Sequence, residues 1–268
     1  MNRRDFIAGC GAFAASAALG RPIRSAISST ETGAIDSAAP TAASYIQDGL
    51  TNLLDGIENV GLGSHDPDSS FWLDLVSGDS LSFNKGDNIY FTNNALHREA
   101  ALGELRTHIP FPLSNTTVEV VCDVQGPQDF NSNPRIIGTR ASYRFEVDAF
   151  NGQTTSLRAP RIYGRLSKGS YSQTYGDFNR TPFGFWSLTC LFSEDDVIIL
   201  DSVCGKMKST TFDSAFYEGG LQTLNLGAWY RTSGAMTGDF FSVRCYDRVL
   251  TTDEIAFNHK IDEARFLI

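Results

Sequence analysis

From Tyr45 onward the chain is a succession of short apolar runs cut by Gly, Asn, Asp, Ser and Pro. Runs of that length, with apolar and polar residues alternating, fit strands that bury one face and leave little room for helices. Thr117–Val124 shows the pattern best, with Val118, Val120 and Cys122 alternating against Thr117, Glu119, Val121 and Asp123. Arg135–Ile137, Ser142–Ala149, Arg161–Leu166, Phe185–Phe192, Val197–Ser202, Thr223–Ala228 and Phe240–Tyr246 read as strands too. Ser193-Glu-Asp-Asp196 between two of them reads as a hairpin turn. Only Ile46–Leu54 and Thr252–Asn258 have helical spacing. Many short strands of this kind build an antiparallel sandwich or barrel, and no internal repeat divides the chain.

Charge narrows the partners. The 268 residues carry a formal net charge of −9, with a pI of about 4.9. Nucleic acid and anionic membrane surfaces call for a basic footprint that is absent here. No apolar run approaches the ~20 residues of a membrane span.

Residues 1–26 read as an export signal. Arg3-Arg4 precede an Ala/Gly-rich apolar stretch, Phe6–Leu19, followed by small residues, with Ala17 and Ala26 as cleavage positions. The order Arg3-Arg4-Asp5-Phe6-Ile7 resembles the twin-arginine motif, which implies passage of an already folded protein to the periplasm or beyond. Too little apolar chain precedes Cys10 for lipidation. Residues 27–44, rich in Ala, Ser and Thr, bury too little to offset their ordering entropy and read as a flexible linker. The folded domain is then 45–268.

The last strand leads into a helix. Phe241, Val243 and Cys245 alternate with Ser242, Arg244 and Tyr246, giving the first set the buried face. Thr251 stands three residues before Glu254, the spacing of a capping box. Leu226-Gly-Ala-Trp-Tyr230, then Gly238-Asp-Phe-Phe-Ser-Val-Arg-Cys-Tyr-Asp-Arg-Val-Leu-Thr-Thr-Asp-Glu-Ile255, resembles the closing signature of the laminin-G-like, concanavalin A-like lectin/glucanase family. Cys245, Asp247 and Val249 stand where that signature usually has Ile, Asn and Ala. Tyr45-Ile-Gln-Asp-Gly-Leu50, Asp55-Gly-Ile-Glu-Asn59 and Trp72-Leu-Asp-Leu-Val76 are similar to the start of bacterial members, and Phe185–Thr189 with Val197–Asp201 fits a central hairpin. The resemblance covers 45–268. It implies an all-β, antiparallel two-sheet jelly-roll sandwich with a short C-terminal helix.

The resemblance also suggests sites. Some hydrolases of this fold carry Glu-x-Asp-x-x-Glu on one strand. Here Glu146 and Asp148 are present, but Asn151 occupies the last position, and an amide cannot protonate a leaving group. Relatives often hold calcium, for which Asp55, Glu58, Asp66 and Asp68 in a Gly-rich stretch offer hard oxygens. Four Cys follow residue 44, namely Cys122, Cys190, Cys204 and Cys245. They allow three disulfide connectivities or none. The strand order of the resembled fold makes Cys122–Cys245 the first pair to test, with small buried hydrophobes as the alternative.

Trp229, Tyr230 and Arg231, in a loop between two late strands, would make a stacking platform for a sugar, and Tyr171, Tyr175 and Phe178 in a Ser/Gly-rich loop a second. His65, His97, His108 and His259 show no metal-ligand spacing, and no Gly-x-Ser-x-Gly or phosphate loop is present. The expectation is an exported, non-catalytic module that binds a glycan, with calcium the one cofactor in view. The alternatives are a structural or adhesive component binding a cell-surface protein, or a hydrolase with a degenerate Glu-x-Asp motif.

Overall fold

The computed structural model describes residues 39–83, 88–99, 105–111, 115–126, 135–139, 143–150, 161–168, 171–178, 184–193, 196–203, 206–211, 222–227 and 236–267. A 3-10 turn at Ala42–Ser44 opens the described chain. The strands follow as β1 (Leu50–Asp55), β2 (Phe71–Leu73), β3 (Ser80–Ser82), β4 (Ile89–Phe91), β5 (Leu96–Arg98), β6 (Leu105–Phe111), β7 (Thr116–Gly126) and β8 (Arg135–Thr139). Next come β9 (Tyr143–Phe150), β10 (Arg161–Lys168), β11 (Tyr171–Phe178), β12 (Gly184–Phe192), β13 (Asp196–Asp201), β14 (Lys206–Thr211), β15 (Gln222–Leu226) and β16 (Thr237–Tyr246). One α-helix among the described residues, α1 (Thr252–Phe266), follows the last strand. No helix of the described residues is long and apolar enough to cross a membrane.

Two antiparallel sheets make a jelly-roll-type sandwich. The larger has eight strands in the order β14-β13-β12-β7-β16-β5-β4, with β1 also paired to β16. β5 takes Gly238–Phe240 of β16 and β1 takes the stretch from Ser242 to Tyr246, so two short strands share one edge. The second sheet has six strands, β11-β10-β9-β8-β15-β6, and β2-β3 form a separate pair.

Alternation fills the space between the sheets. Val118, Val120, Cys122 and Val124 of β7 join Trp186, Leu188 and Cys190 of β12 and Val147, Leu224 and Leu226 of the smaller sheet in one buried cluster. Burying each large apolar side chain of this kind stabilises the fold by roughly 1.5–3 kcal/mol.

β16 departs from strict alternation. Phe240 and Val243 both lie in the core cluster, three residues apart. A bulge between Phe240 and Ser242, against β7, absorbs the odd residue. Phe241, expected inside, is therefore turned to the outer face, where it packs with Ala95, Val121 and Phe266. Gly238 has φ +152°, and a Cβ there would come within 2.0 Å of the Asp123 carbonyl oxygen, so β16 approaches β7 at this point only as glycine.

The helix covers the outer face of the larger sheet. Its capping box forms as expected: Thr251 Oγ1 accepts from the Glu254 N–H at 3.3 Å, and Glu254 Oε2 accepts from the Thr251 N–H at 2.8 Å. It runs on for 15 residues, eight beyond the expected end at Asn258. Ile255 packs with Leu191, Leu200 and Tyr246, and Ile261 with Ala42, Tyr45 and Leu53.

Three expectations change. Ile46–Leu54 is not a helix; Leu50–Asp55 is β1, because Gly49 at φ +75° turns the chain beside Asp247 and Arg248. Tyr171–Phe178, expected as a loop, is the edge strand β11. The packed chain also starts before Tyr45, since Ala42 is wholly buried against α1.

Candidate functional site

Val147 is fully buried between the sheets, so Glu146 and Asp148 occupy outward register positions of β9. Glu146 stands opposite Gly138 of β8 and Arg165 of β10. Asp148 stands opposite Arg135 and Tyr163. Continuing the first row across the sheet gives Arg106, Asn225, Gly138, Glu146, Arg165 and Thr174. Each acid of the Glu-x-Asp pair thus has an arginine at an opposite register position. Asn225 lies between the core residues Leu224 and Leu226, and its buried Oδ1 has no donor among the described residues. Asn151, Trp229, Tyr230 and Arg231 lie outside the described residues.

The residues expected to hold calcium do not fit an ion. Arg265 of α1 reaches Asp55 Oδ1 at 2.7 Å and Glu58 Oε1 at 3.1 Å, so a guanidinium takes the place between the two carboxylates. Asp55 Oδ1 also accepts from the N–H groups of Ile57 and Glu58, and Glu58 accepts from those of Ala42 and Gly63. Asp66 is spent on its own turn, with Oδ1 accepting from the Asp68 N–H. Among the described residues no group of three or more His, Cys, Asp or Glu is placed to hold a metal.

A second arginine completes a buried polar layer under α1. Arg244 Nε donates to Glu119 Oε2 at 2.9 Å, and its two terminal nitrogens donate to Asp262 at 2.5 and 2.7 Å. Tyr45 Oη donates to Asp262 at 2.8 Å, while its ring lies 4.1 Å from the Arg244 guanidinium. Asn258 Nδ2 donates to Glu119 and to Tyr246 Oη, and Asn258 Oδ1 accepts from the Ile46 N–H. Burial lifts the Glu119 carboxyl above its usual range, although Arg244 pulls the other way. Its side chains are out of solvent and, apart from Asp55 Oδ2 and Arg265 Nε, its buried polar atoms have partners, so this layer holds elements together.

The expected Cys122–Cys245 bridge is not formed. Cys122 is opposite Phe240 and Cys245 is opposite Val118, so the two lie four rungs apart along β7. At ~3.3 Å per residue that is about 13 Å, beyond the ~7 Å Cα reach of a disulfide. Cys122, Cys190 and Cys245 are all buried, and Cys190 and Cys245 are free. Burial pushes the thiols of Cys190 and Cys245 well above the usual range. Cys204 lies outside the described residues.

Where α1 ends, the outer face of the larger sheet is left with a polar row that the sequence reading passed over. Tyr90, His97, Asp239, Asp123 and Phe185 stand opposite one another across five strands. His97 Nδ1 is 2.6 Å from Asp239 Oδ1, and the Tyr90 and His97 rings lie 4.8 Å apart. Gln125 Nε2 donates to Asp239 at 2.8 Å and to Asp123 at 3.4 Å. Burial, with the charge of Asp239 beside it, raises the Asp123 carboxyl above its ordinary range. The available signal was the alternation of Tyr90 and His97 with the core residues Phe91 and Leu96.

No family model and no curated protein matches the chain. Among solved structures it is similar to Trypanosoma rangeli sialidase in complex with sialic acid, at 13% identity and TM-score 0.53, over 83% of this chain and 34% of that one. The same sialidase with 2,3-difluorosialic acid matches at 13% identity and TM-score 0.52, over 83% of this chain and 34% of that one. The Ruminococcus gnavus IT-sialidase CBM40 aligns over 55% of this chain and 84% of its own, at 15% identity and TM-score 0.41. The likeness is one of fold. The chain spans about a third of the length of the sialidase it matches, 34%.

Proposed function

We propose that this chain is an exported, non-catalytic module of the laminin-G-like, concanavalin A-like kind, and that it binds a glycan on the outward face of its six-stranded sheet. The observation that carries the reading is the polar row from Arg106 through Asn225, Gly138, Glu146 and Arg165 to Thr174. Gly138 brings no side chain to its middle, and the residues around it offer hydrogen-bonding groups of both senses, as hydroxyl-rich ligands require. Asn151 at the last position of the Glu-x-Asp motif supports binding over hydrolysis, since an amide cannot protonate a leaving group. Sandwiches of similar fold include a sialidase in complex with sialic acid, which makes glycans the first class to test. Export by a twin-arginine leader in residues 1–26, and stacking on Trp229 and Tyr230, belong to the same proposal.

A glycan-array screen of the full chain tests it. Saturable binding weakened by Glu146→Gln and by Trp229→Ala, with no turnover of the bound glycan, is the expected result. Silence across a broad array would turn attention to protein partners. Release of reducing ends, abolished by Glu146→Gln, would establish a hydrolase instead.

A further inference from the structure

The outer face of the larger sheet is not sealed along its whole length. α1 covers one part of it and ends on Phe266, whose ring lies 5.3 Å from that of Phe241. Phe241 in turn lies 5.4 Å from Phe185. These three rings form a ledge. Beyond it the sheet surface continues as the row Phe185, Asp123, Asp239, His97 and Tyr90. Alternation puts these side chains outside, since their chain neighbours Trp186, Cys122, Phe240, Leu96 and Phe91 belong to the core. Five strands spaced by ~4.8 Å make the row roughly 19 Å long, room for several linked units of a ligand.

The row is both ordered and reachable. Tyr90 is 42% exposed, and its ring is braced against His97 at 4.8 Å. The side chains of His97 and Asp239 are 12% and 17% exposed. Gln125, on the same face of β7, is exposed. One oxygen of Asp239 is taken by His97 and the other accepts from Gln125. Among the described residues the Asp123 side chain accepts from Gln125 alone, at 3.4 Å, and so keeps acceptor capacity for a ligand. None of these positions is Lys or Arg.

A flat ring, two carboxylates and a carboxamide limit what this surface can hold. An anionic ligand would be set against Asp123 and Asp239, and like charges across an interface are costly. A purely apolar ligand would desolvate the same carboxylates without supplying donors. A saccharide meets both conditions, with an apolar ring face for Tyr90 and hydroxyl donors for the acids. We infer that this row is a second ligand site, on the sheet opposite the one proposed above, and that it takes a neutral oligosaccharide stacked on Tyr90 with its hydroxyls donating to Asp123 and Asp239.

The test is calorimetric titration of the full chain with neutral oligosaccharides of glucose, mannose, galactose and xylose, and with oligogalacturonate as the acidic counterpart. Saturable binding of at least one neutral probe is expected, unchanged between about 50 mM and about 500 mM salt because no ion pair is involved. Tyr90→Ala and Asp123→Ala should each weaken it at least about tenfold, and Tyr90→Phe should retain most of it. Gln125→Ala, at an exposed position, should lower affinity with no change in the urea midpoint, which separates a lost contact from a lost fold. Tighter binding of oligogalacturonate, or neutral binding indifferent to Tyr90→Ala and Asp123→Ala, overturns the inference. Neutral binding lost with Glu146→Gln but not with Tyr90→Ala places the sugar on the six-stranded sheet, overturning this site and leaving the proposed function standing. Absence of neutral binding overturns this site as well, and acidic glycans weakened by Glu146→Gln would still uphold the other sheet.

Discussion

Arg244 of β16 and Asp262 of α1 meet through two parallel hydrogen bonds of 2.5 and 2.7 Å, with neither side chain more than 1% exposed. Breaking such a pair strands a charge out of water, which costs more than the pair contributes as a pair. Asp262→Ala is therefore expected to lower stability by about 3–5 kcal/mol, and Arg244→Met/Asp262→Leu together by clearly less. Urea unfolding measures both. A single Asp262→Ala variant within ~1 kcal/mol of the parent would show that the pair is dispensable.

Acid should act on the domain in two opposed ways. Burial disfavours ionised Glu58, but the N–H groups of Ala42 and Gly63 and the Arg265 guanidinium outweigh it and hold its carboxyl below the usual range. Its folded pKa lies under the unfolded one, so its contribution is present above the unfolded value, about 4.3, and is lost as pH falls through the folded value. Asp55 and Glu119 are lifted, chiefly by burial. Their contribution is full below the unfolded value and is lost as pH rises through the folded one. Glu58→Gln should flatten the loss of stability on the acid side, and Glu119→Gln the decline on the neutral side, in urea midpoints taken from pH 3 to 7. Unchanged slopes in both variants would contradict this.

The bulge in β16 predicts that two adjacent phenylalanines matter together. Phe240 is in the core between the sheets, and Phe241 has its ring 5.3 Å from Phe266 and 5.4 Å from Phe185 on the outer face. Phe240→Ala and Phe241→Ala should each destabilise by about 3–5 kcal/mol. Regular alternation would leave one of them nearly neutral.

The buried thiols should be silent to reagents in the native protein. Alkylation followed by peptide mass mapping is expected to leave Cys122, Cys190 and Cys245 unmodified until denaturant is added. Rapid labelling of Cys245 without unfolding would place it outside the core.

What the sequence disclosed depended on how local each signal was. β7 and β12 were legible because their core residues alternate without interruption. β1 was not, because Ile46, Leu50, Leu53 and Leu54 fall at helical spacing and only the turn at Gly49 excludes the helix. The phase slip at Phe241 left no mark, since Phe240 and Phe241 are both apolar. The site readings failed over distance. Asp55 and Glu58 looked like metal ligands because the arginine that occupies them comes 210 and 207 residues later. The arginine-bearing sheet face was hidden for the same reason: its rows run across strands, and only the register lines Arg165 up with Glu146 and Asn225 with Arg106.

The buried layer also sets the order of events during synthesis. Pro40, Tyr45 and Ile46 find their partners in Arg265, Asp262 and Asn258, 212–225 residues downstream. Until the final turns of α1 have left the ribosome, Tyr45 lacks its Asp262 acceptor, Asp55 and Glu58 lack the Arg265 guanidinium, and Arg244 has Glu119 and Ser242 but not Asp262. The chain thus emerges with its outer face unsealed, and closure waits for residues 258–265. Contacts of such long sequence separation fold slowly. A nascent chain has to be shielded across that whole span, and a ribosome stalled before Asn258 would hold an open sandwich.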